Sequence, residues 1–298
     1  MAVPLLCLLV APLFSLIAQS TPTLASTLTG DLRFHELRSK IFNNTRKIRV
    51  LLPPGYDDPE NKARRYPVLY LNDGQNLFDV ATSLFNPMEW RVDETVAGLV
   101  RRSAIEPLIV VGIDNAGRRM RFNEYFPYED EFLQPPMPSP QGKKYPDFVA
   151  NEVMPLVDRL YRTKPGRANT AIGGSSAGAI AALQAVIEKP KVFGLLLMES
   201  PSLYISNQQM LHDSKGIRPL KAYMGVGTNE MGEADCKAGD TGGEAVQDVL
   251  KLKDVLVESG VKRRDLKVVV EDCAIHNEEV WAKRFPAAIE FLFGKSGR

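Results

Sequence analysis

The chain has 298 residues, 44% of them hydrophobic and 24% charged, which supplies a sizeable apolar core and excludes a disordered or fibrous chain. Lys and Arg total 37 against 36 Asp and Glu, a net charge of +1, so the charge balance points to neither nucleic acid nor an anionic membrane surface. The length would admit two domains, but α/β chains of this size often fold as one, and a single domain over residues 21–298 is the economical expectation.

Residues 1–18 are apolar and uncharged, and polar Gln19, Ser20, Thr21 and Pro22 follow them. The stretch resembles a secretory signal peptide over residues 1–20, with small Ala18 and Ser20 set for cleavage before Thr21, although no Lys or Arg stands at its start. An uncleaved anchor is the alternative, at the lower length limit of a membrane span, and Pro4 and Pro12 weaken the helix it would need. Export implies a secreted or periplasmic protein with no stable membrane association once the signal is removed. Asn43-Asn44-Thr45 is a glycosylation sequon, meaningful only in a eukaryotic secretory pathway.

Further along, residues 48–53, 67–71, 108–113, 170–173, 193–198, 220–226 and 266–270 predict strands. Several are apolar at consecutive positions, as strands buried on both faces are. Residues 93–102, 148–161, 177–188, 244–259 and 280–293 predict helices. Strands alternating with helices predict an α/β fold with a mostly parallel central sheet covered on both sides. Two stretches break the alternation. Residues 126–145, with Pro127, Pro135, Pro136, Pro138 and Pro140, have no period and read as a lid or a passive surface loop. Residues 228–243 form a second long loop, rich in Gly and acids.

The chemistry starts at Gly174-Ser175-Ser176-Ala177-Gly178, which lies between a predicted strand and a predicted helix. Gly-x-Ser-x-Gly in that setting is a nucleophile elbow with Ser176 at its apex. Bulky side chains two positions to either side would collide across the turn, and Gly174 and Gly178 relieve the crowding. An elbow serine needs a base and an acid, in the chain order Ser, acid, His. Of the three histidines, His35 and His212 are badly placed, whereas His276 follows the strand 266–270 and leads into the last helix. That is the C-terminal edge of the sheet, where the base belongs. The preceding strand continues into Gly227-Thr228-Asn229-Glu230, so Glu230 emerges first, with Glu233, Asp235 and Asp240 as competitors on the same loop. An oxyanion hole needs two backbone N–H groups, one from Ala177 and one from the loop after the strand 67–71, where Gly74 permits close approach and Gln75 is the expected donor.

Loss of Cys7 with the signal leaves Cys236 and Cys273 in an oxidising compartment, either as two free thiols or as a disulfide tethering the acid and base loops. The disulfide would contribute roughly 3–4 kcal/mol in the chain-entropy model. No His/Cys/Asp cluster has metal-ligand spacing, so neither metal nor cofactor is expected.

Taken with these residues, the chain resembles the putative-esterase family of α/β-hydrolases, which includes siderophore esterases, feruloyl and acetyl-xylan esterases, S-formylglutathione hydrolase and secreted mycolyltransferases. The resemblance covers nearly all of the mature chain. It is carried by residues 66–79, with Asn72-Asp73-Gly74-Gln75 at their centre, and by Trp90 followed by Asp93-Glu94. Residues 111–115 and 121–127, the elbow, Ser200-Pro201-Ser202, and His276-Asn277 before Trp281 complete it. It implies the α/β-hydrolase fold, an oxyanion donor at Gln75, and Glu230 as the acid, since Gly227-Thr228-Asn229-Glu230 looks like the mycolyltransferase turn. Two departures stand out. Members commonly carry Met and a second Gly where this chain has Ala177 and Ala179, and the loop 231–243 is enlarged.

Arg118, Arg119 and Arg121 could meet an anionic or catecholate substrate, or Arg121 could simply pair with Glu124. Trp90 is divided between a substrate-pocket wall and core packing. The expectation is an exported serine esterase acting on a small-molecule or glycan-linked ester such as a siderophore or plant-wall ester. A secreted acyltransferase and a non-catalytic ligand-binding relative are the other readings, because a fold does not name a substrate.

Overall fold

The computed structural model describes residues 24–84, 87–130, 139–239 and 242–295. The expected signal peptide, residues 131–138 of the proline-rich loop and the candidate acid Asp240 lie outside them.

Among the described residues, eight strands form one sheet in the order β1-β2-β4-β3-β5-β6-β7-β8. They are β1 (Asp31–Ser39), β2 (Asn44–Leu52), β3 (Val68–Asn72), β4 (Ile109–Ile113), β5 (Thr170–Ser175), β6 (Leu195–Glu199), β7 (Lys221–Gly227) and β8 (Leu266–Glu271). β1 pairs antiparallel with β2 and β2 antiparallel with β4, and every later pairing is parallel. The expected mostly parallel sheet is therefore present, with an antiparallel hairpin added at one edge.

The helices are α1 (Val92–Arg101), α2 (Arg118–Tyr125), α3 (Tyr145–Phe148), α4 (Met154–Leu160), α5 (Ala177–Glu188), α6 (Ile205–Asp213), α7 (Glu244–Glu258) and α8 (Glu278–Phe293). A π-turn over Val149–Val153 joins α3 to α4, so the predicted helix 148–161 is one helical run with a local widening. The sheet's two faces explain why the strands are apolar at consecutive positions. In β3, Val68 and Tyr70 face a core covered by residues of α4, α5 and α7, while Leu69 and Leu71 face a core shared with α1 and α8. β4 repeats the alternation, with Ile109, Val111 and Ile113 on the first side and Val110 on the second. Side chains alternate across a pleated strand, so double-sided burial requires apolar residues at every position.

Four elements depart from the expectation, the first being α2, which forms where no helix is predicted. β1 is an edge strand whose Leu32 and Leu37 fall on opposite faces and whose Phe34 is half exposed, so it shows no period-two signal. β2 begins at Asn44, ahead of its apolar run, because it pairs there with Ser39 of β1, and its buried Arg46 forms a salt bridge with buried Glu124 on α2. α6 contains Ser206, Asn207 and Gln208 with φ of 53°, 53° and 61°, a left-handed turn that no helical periodicity could foretell. Before the undescribed stretch, the proline-rich loop is tied down against this turn. Asp130 Oδ2 accepts from the Ser206 N–H at 2.6 Å and the Glu129 carbonyl from the Ser206 hydroxyl at 2.9 Å.

The parallel strands all end at one edge of the sheet. β5, near its centre, ends at Ser175, and the ends of β3, β6, β7 and β8 lead into Asp73, Ser200, Thr228 and Asp272.

Candidate active site

Ser176 sits between β5 and α5 with φ 55° and ψ −127°, a conformation that costs a non-glycine residue about 1–3 kcal/mol. The packing around it accounts for the flanking glycines. A Cβ at Gly174 would lie 2.8 Å from the Gly178 carbonyl, and one at Gly178 would lie 2.9 Å from Asp73 Oδ2. The Ser176 N–H donates to the Glu199 carbonyl at 2.9 Å, which pins the elbow to the end of β6.

On the β7–α7 loop, Glu230 Oε2 lies 2.6 Å from His276 Nδ1. Its other oxygen, Oε1, accepts from the Gly227 N–H at 2.6 Å and from the Ser200 hydroxyl at 2.7 Å. Burial pushes this carboxyl up, but the hydrogen bond from His276, those from Gly227 and Ser200, and the nearby imidazole charge outweigh it and hold it below the usual carboxylate range. Glu230 thus stays ionised beside the imidazole. Among its competitors, Glu233 hydrogen-bonds through its backbone to Asn229, and Asp235 is exposed.

Ser176 and His276 line one cavity of about 600 Å³, but they are not hydrogen-bonded to each other. The Ser176 hydroxyl instead lies 3.3 Å from Ser202 Oγ. Catalytic contacts of this kind commonly close only when substrate arrives.

Gln75 and Ala177 are buried, and among the described residues neither backbone N–H finds a protein acceptor. The Gln75 backbone is fixed from both sides. Its side-chain Oε1 accepts from the Asn115 N–H at 3.1 Å and its carbonyl from the Thr82 hydroxyl at 2.7 Å. Ahead of it, Asp73 takes the left-handed conformation (φ 59°), and a Cβ on Gly74 would come within 2.7 Å of the Gly112 backbone. The strand-end loop therefore lies flat on β4.

The structure places the two candidate substrate-binding residues inside the protein. Trp90 is 2% exposed and packs against Trp281 and Phe285 at ring distances of 5.9 and 5.7 Å, which makes it a core residue rather than a pocket wall. Arg121 is also buried and donates to both oxygens of Asp73 at 2.8 Å. Its expected partner Glu124 instead binds Arg46, because Arg121 and Glu124 point to different neighbours of α2.

Cys236 and Cys273 are joined in a disulfide, Cα–Cα 5.7 Å, that links the loop after Glu230 to the turn before His276. In the same turn the Cys273 N–H donates to the Thr228 hydroxyl at 2.8 Å. The two loops that meet at the Glu230–His276 contact are thus fastened covalently.

Ser200 was legible only as part of a motif, with no role attached. Its hydroxyl receives hydrogen bonds from Trp281 Nε1 at 2.9 Å and Arg284 Nη2 at 3.4 Å while donating to Glu230. An indole and a guanidinium can only donate, and an ionised carboxylate can only accept, so the hydroxyl proton has one place to go. Arg284 in turn binds Glu199 at 2.8 Å and Glu271 at 3.1 Å. Burial pushes the Glu199 carboxyl up to about 7 despite that guanidinium. Among the described residues no cluster of His, Cys, Asp and Glu could hold a metal ion.

The family model for Putative esterase matches residues 39–292. The uncharacterized protein YbbA of Bacillus subtilis is 21% identical over 255 residues, spanning 84% of this chain and 94% of its own. Among solved structures, a ferulic acid esterase superposes with a TM-score of 0.65 at 19% identity, covering 88% of this chain and 98% of its own. The enterobactin esterase of Shigella flexneri superposes with a TM-score of 0.63 at 17% identity, covering 91% of this chain and 60% of its own. The shared fold is that of the α/β-hydrolases.

Proposed function

The chain belongs to the Putative esterase family and is a carboxylic-ester hydrolase, and we propose that it cleaves its ester through a Ser176–His276–Glu230 triad and an acyl-enzyme. In this reading the Ser176 hydroxyl turns from Ser202 toward the imidazole, which takes its proton as the oxygen attacks the ester carbonyl. Glu230 holds the imidazole by Nδ1 and stabilises the positive charge it acquires. The Gln75 and Ala177 N–H groups, both unused by protein acceptors among the described residues, receive the oxyanion. The imidazolium then protonates the leaving alcohol, and water repeats the sequence to release the acid.

The observation that carries this reading is the 2.6 Å Glu230–His276 contact in the same cavity as a serine held at positive φ. Export is part of the proposal, supported by the apolar residues 1–18 and by the disulfide. The likeness to a ferulic acid esterase and an enterobactin esterase supports a carbohydrate-linked or siderophore ester as substrate. Hydrolysis of p-nitrophenyl acetate and butyrate, followed by feruloyl, acetyl-sugar and siderophore esters, tests the reading. Absence of turnover by the folded protein across that panel would contradict it.

Ser200 has a positioning role in the same account. Ser200→Ala removes one donor from Glu230 and leaves the Trp281 and Arg284 donors without that acceptor. The expected result is a kcat lower by about 10- to 100-fold with KM little changed, the range for losing a hydrogen bond to a charged group. It should be accompanied by an upfield shift of the Trp281 indole N–H resonance. Equal losses in kcat and thermal stability, with that resonance unmoved, would reduce Ser200 to a packing residue.

A further inference from the structure

The described walls of the cavity that Ser176 and His276 line carry fixed charge of one sign. Glu233 and Glu244 line it, and both are exposed to solvent and form no salt bridge among the described residues. Among the described residues that line it there is no Lys or Arg. None of the arginines that could have received an anion, Arg118, Arg119 and Arg121, lines the cavity. Arg121 is buried on Asp73, and Arg118 donates to the Leu84 carbonyl. The apolar part of the wall comes from Tyr204 and Met231, 50% and 89% exposed, which offer a face to an uncharged acyl or aryl group without a countercharge.

We propose that this cavity selects esters that are uncharged or cationic near the reacting carbonyl and rejects those carrying an anion there, with Glu233 and Glu244 setting the preference. The inference rests on the serine-esterase reading of the same cavity. Among esters consistent with that reading, it favours neutral carbohydrate-linked acyl esters over catecholate or ferric siderophores, whose negative charge would meet carboxylates with no Lys or Arg among the described lining residues. A negative wall lowers the local concentration of anions and raises that of cations, and it does so less as salt screens it.

The test compares three p-nitrophenyl esters with the mature protein at low salt: the valerate, the mono-glutarate that places a carboxylate at the acyl terminus, and the 4-(trimethylammonio)butyrate. Wild type, the Glu233→Gln/Glu244→Gln double variant and Ser176→Ala are run side by side, with and without 0.5 M NaCl. The expected kcat/KM for the valerate and the cationic ester exceeds that for the mono-glutarate by at least about tenfold, beyond the ratio of their uncatalysed rates. That gap should narrow several-fold in the double variant and in salt. A mono-glutarate hydrolysed as fast as the valerate, or a gap unmoved by both the variant and salt, overturns the charge assignment while leaving Ser176-dependent hydrolysis intact. Turnover indistinguishable between wild type and Ser176→Ala for all three esters overturns the esterase reading itself, and this inference with it.

Discussion

Ser176→Ala is expected to lower ester hydrolysis by about 10⁴-fold or more while leaving the protein folded, because the variant removes the only atom that forms the acyl bond. Residual hydrolysis would come from the oxyanion donors and the bound water alone. The backbone supplies a control. Ala keeps the Cβ and hence the strain at φ 55° and ψ −127°, whereas Ser176→Gly removes both nucleophile and strain. The Gly variant should be as inactive as the Ala variant and more stable, by up to about 1–3 kcal/mol, in a denaturant titration. A Gly variant less stable than the Ala variant would show that the elbow is not strained. An Ala variant of near wild-type activity would remove Ser176 from the mechanism.

Glu230→Gln should be the next most damaging change, and the hydrogen bonds around the carboxylate say why. Two donors, the Gly227 N–H and the Ser200 hydroxyl, converge on Oε1 at 2.6 and 2.7 Å. The amide oxygen of Gln must stay there, which turns the NH₂ toward His276 Nδ1. That nitrogen must then accept, so the imidazole adopts the tautomer with its proton on Nε2, the nitrogen that should take the serine proton. The expected loss is about 10³- to 10⁴-fold in kcat with KM little altered. Asp235→Asn, on an exposed acid of the same loop, should change kcat by less than about twofold. The reverse order in a side-by-side kinetic comparison would reassign the acid. Because Glu230 is held below the usual carboxylate range, its contribution to stability is fully present above the ordinary carboxylate pKa. It is lost as pH falls through the lowered value.

The central strands and the elbow were legible because their signals are local. β3 to β8 are short apolar runs, and the steric need for Gly174 and Gly178 is written into the residues beside Ser176. Glu230 and His276 were candidates by their places after strands, and the structure brings their side chains to 2.6 Å of each other. What escaped depends on contacts between residues far apart in the chain. β1 is half-exposed and unpatterned, so only its pairing with β2 makes it a strand. Trp90 and Arg121 carry chemistry that suits a binding pocket as well as a core. Only the partners Trp281 and Asp73, 191 and 48 positions away, decide between them. Ser200 is the strongest case, since its role exists only where Glu230, Trp281 and Arg284 converge on one hydroxyl.

The most direct test of the account is to trap the covalent intermediate. The protein is incubated with a fluorophosphonate that phosphonylates activated serines, then digested and sequenced by mass spectrometry. One stoichiometric adduct is expected on the peptide bearing Ser176, its formation slowed by about 10³-fold or more in Glu230→Gln. A folded protein that stays unlabelled, or one labelled at Ser202 with Ser176 untouched, would contradict it.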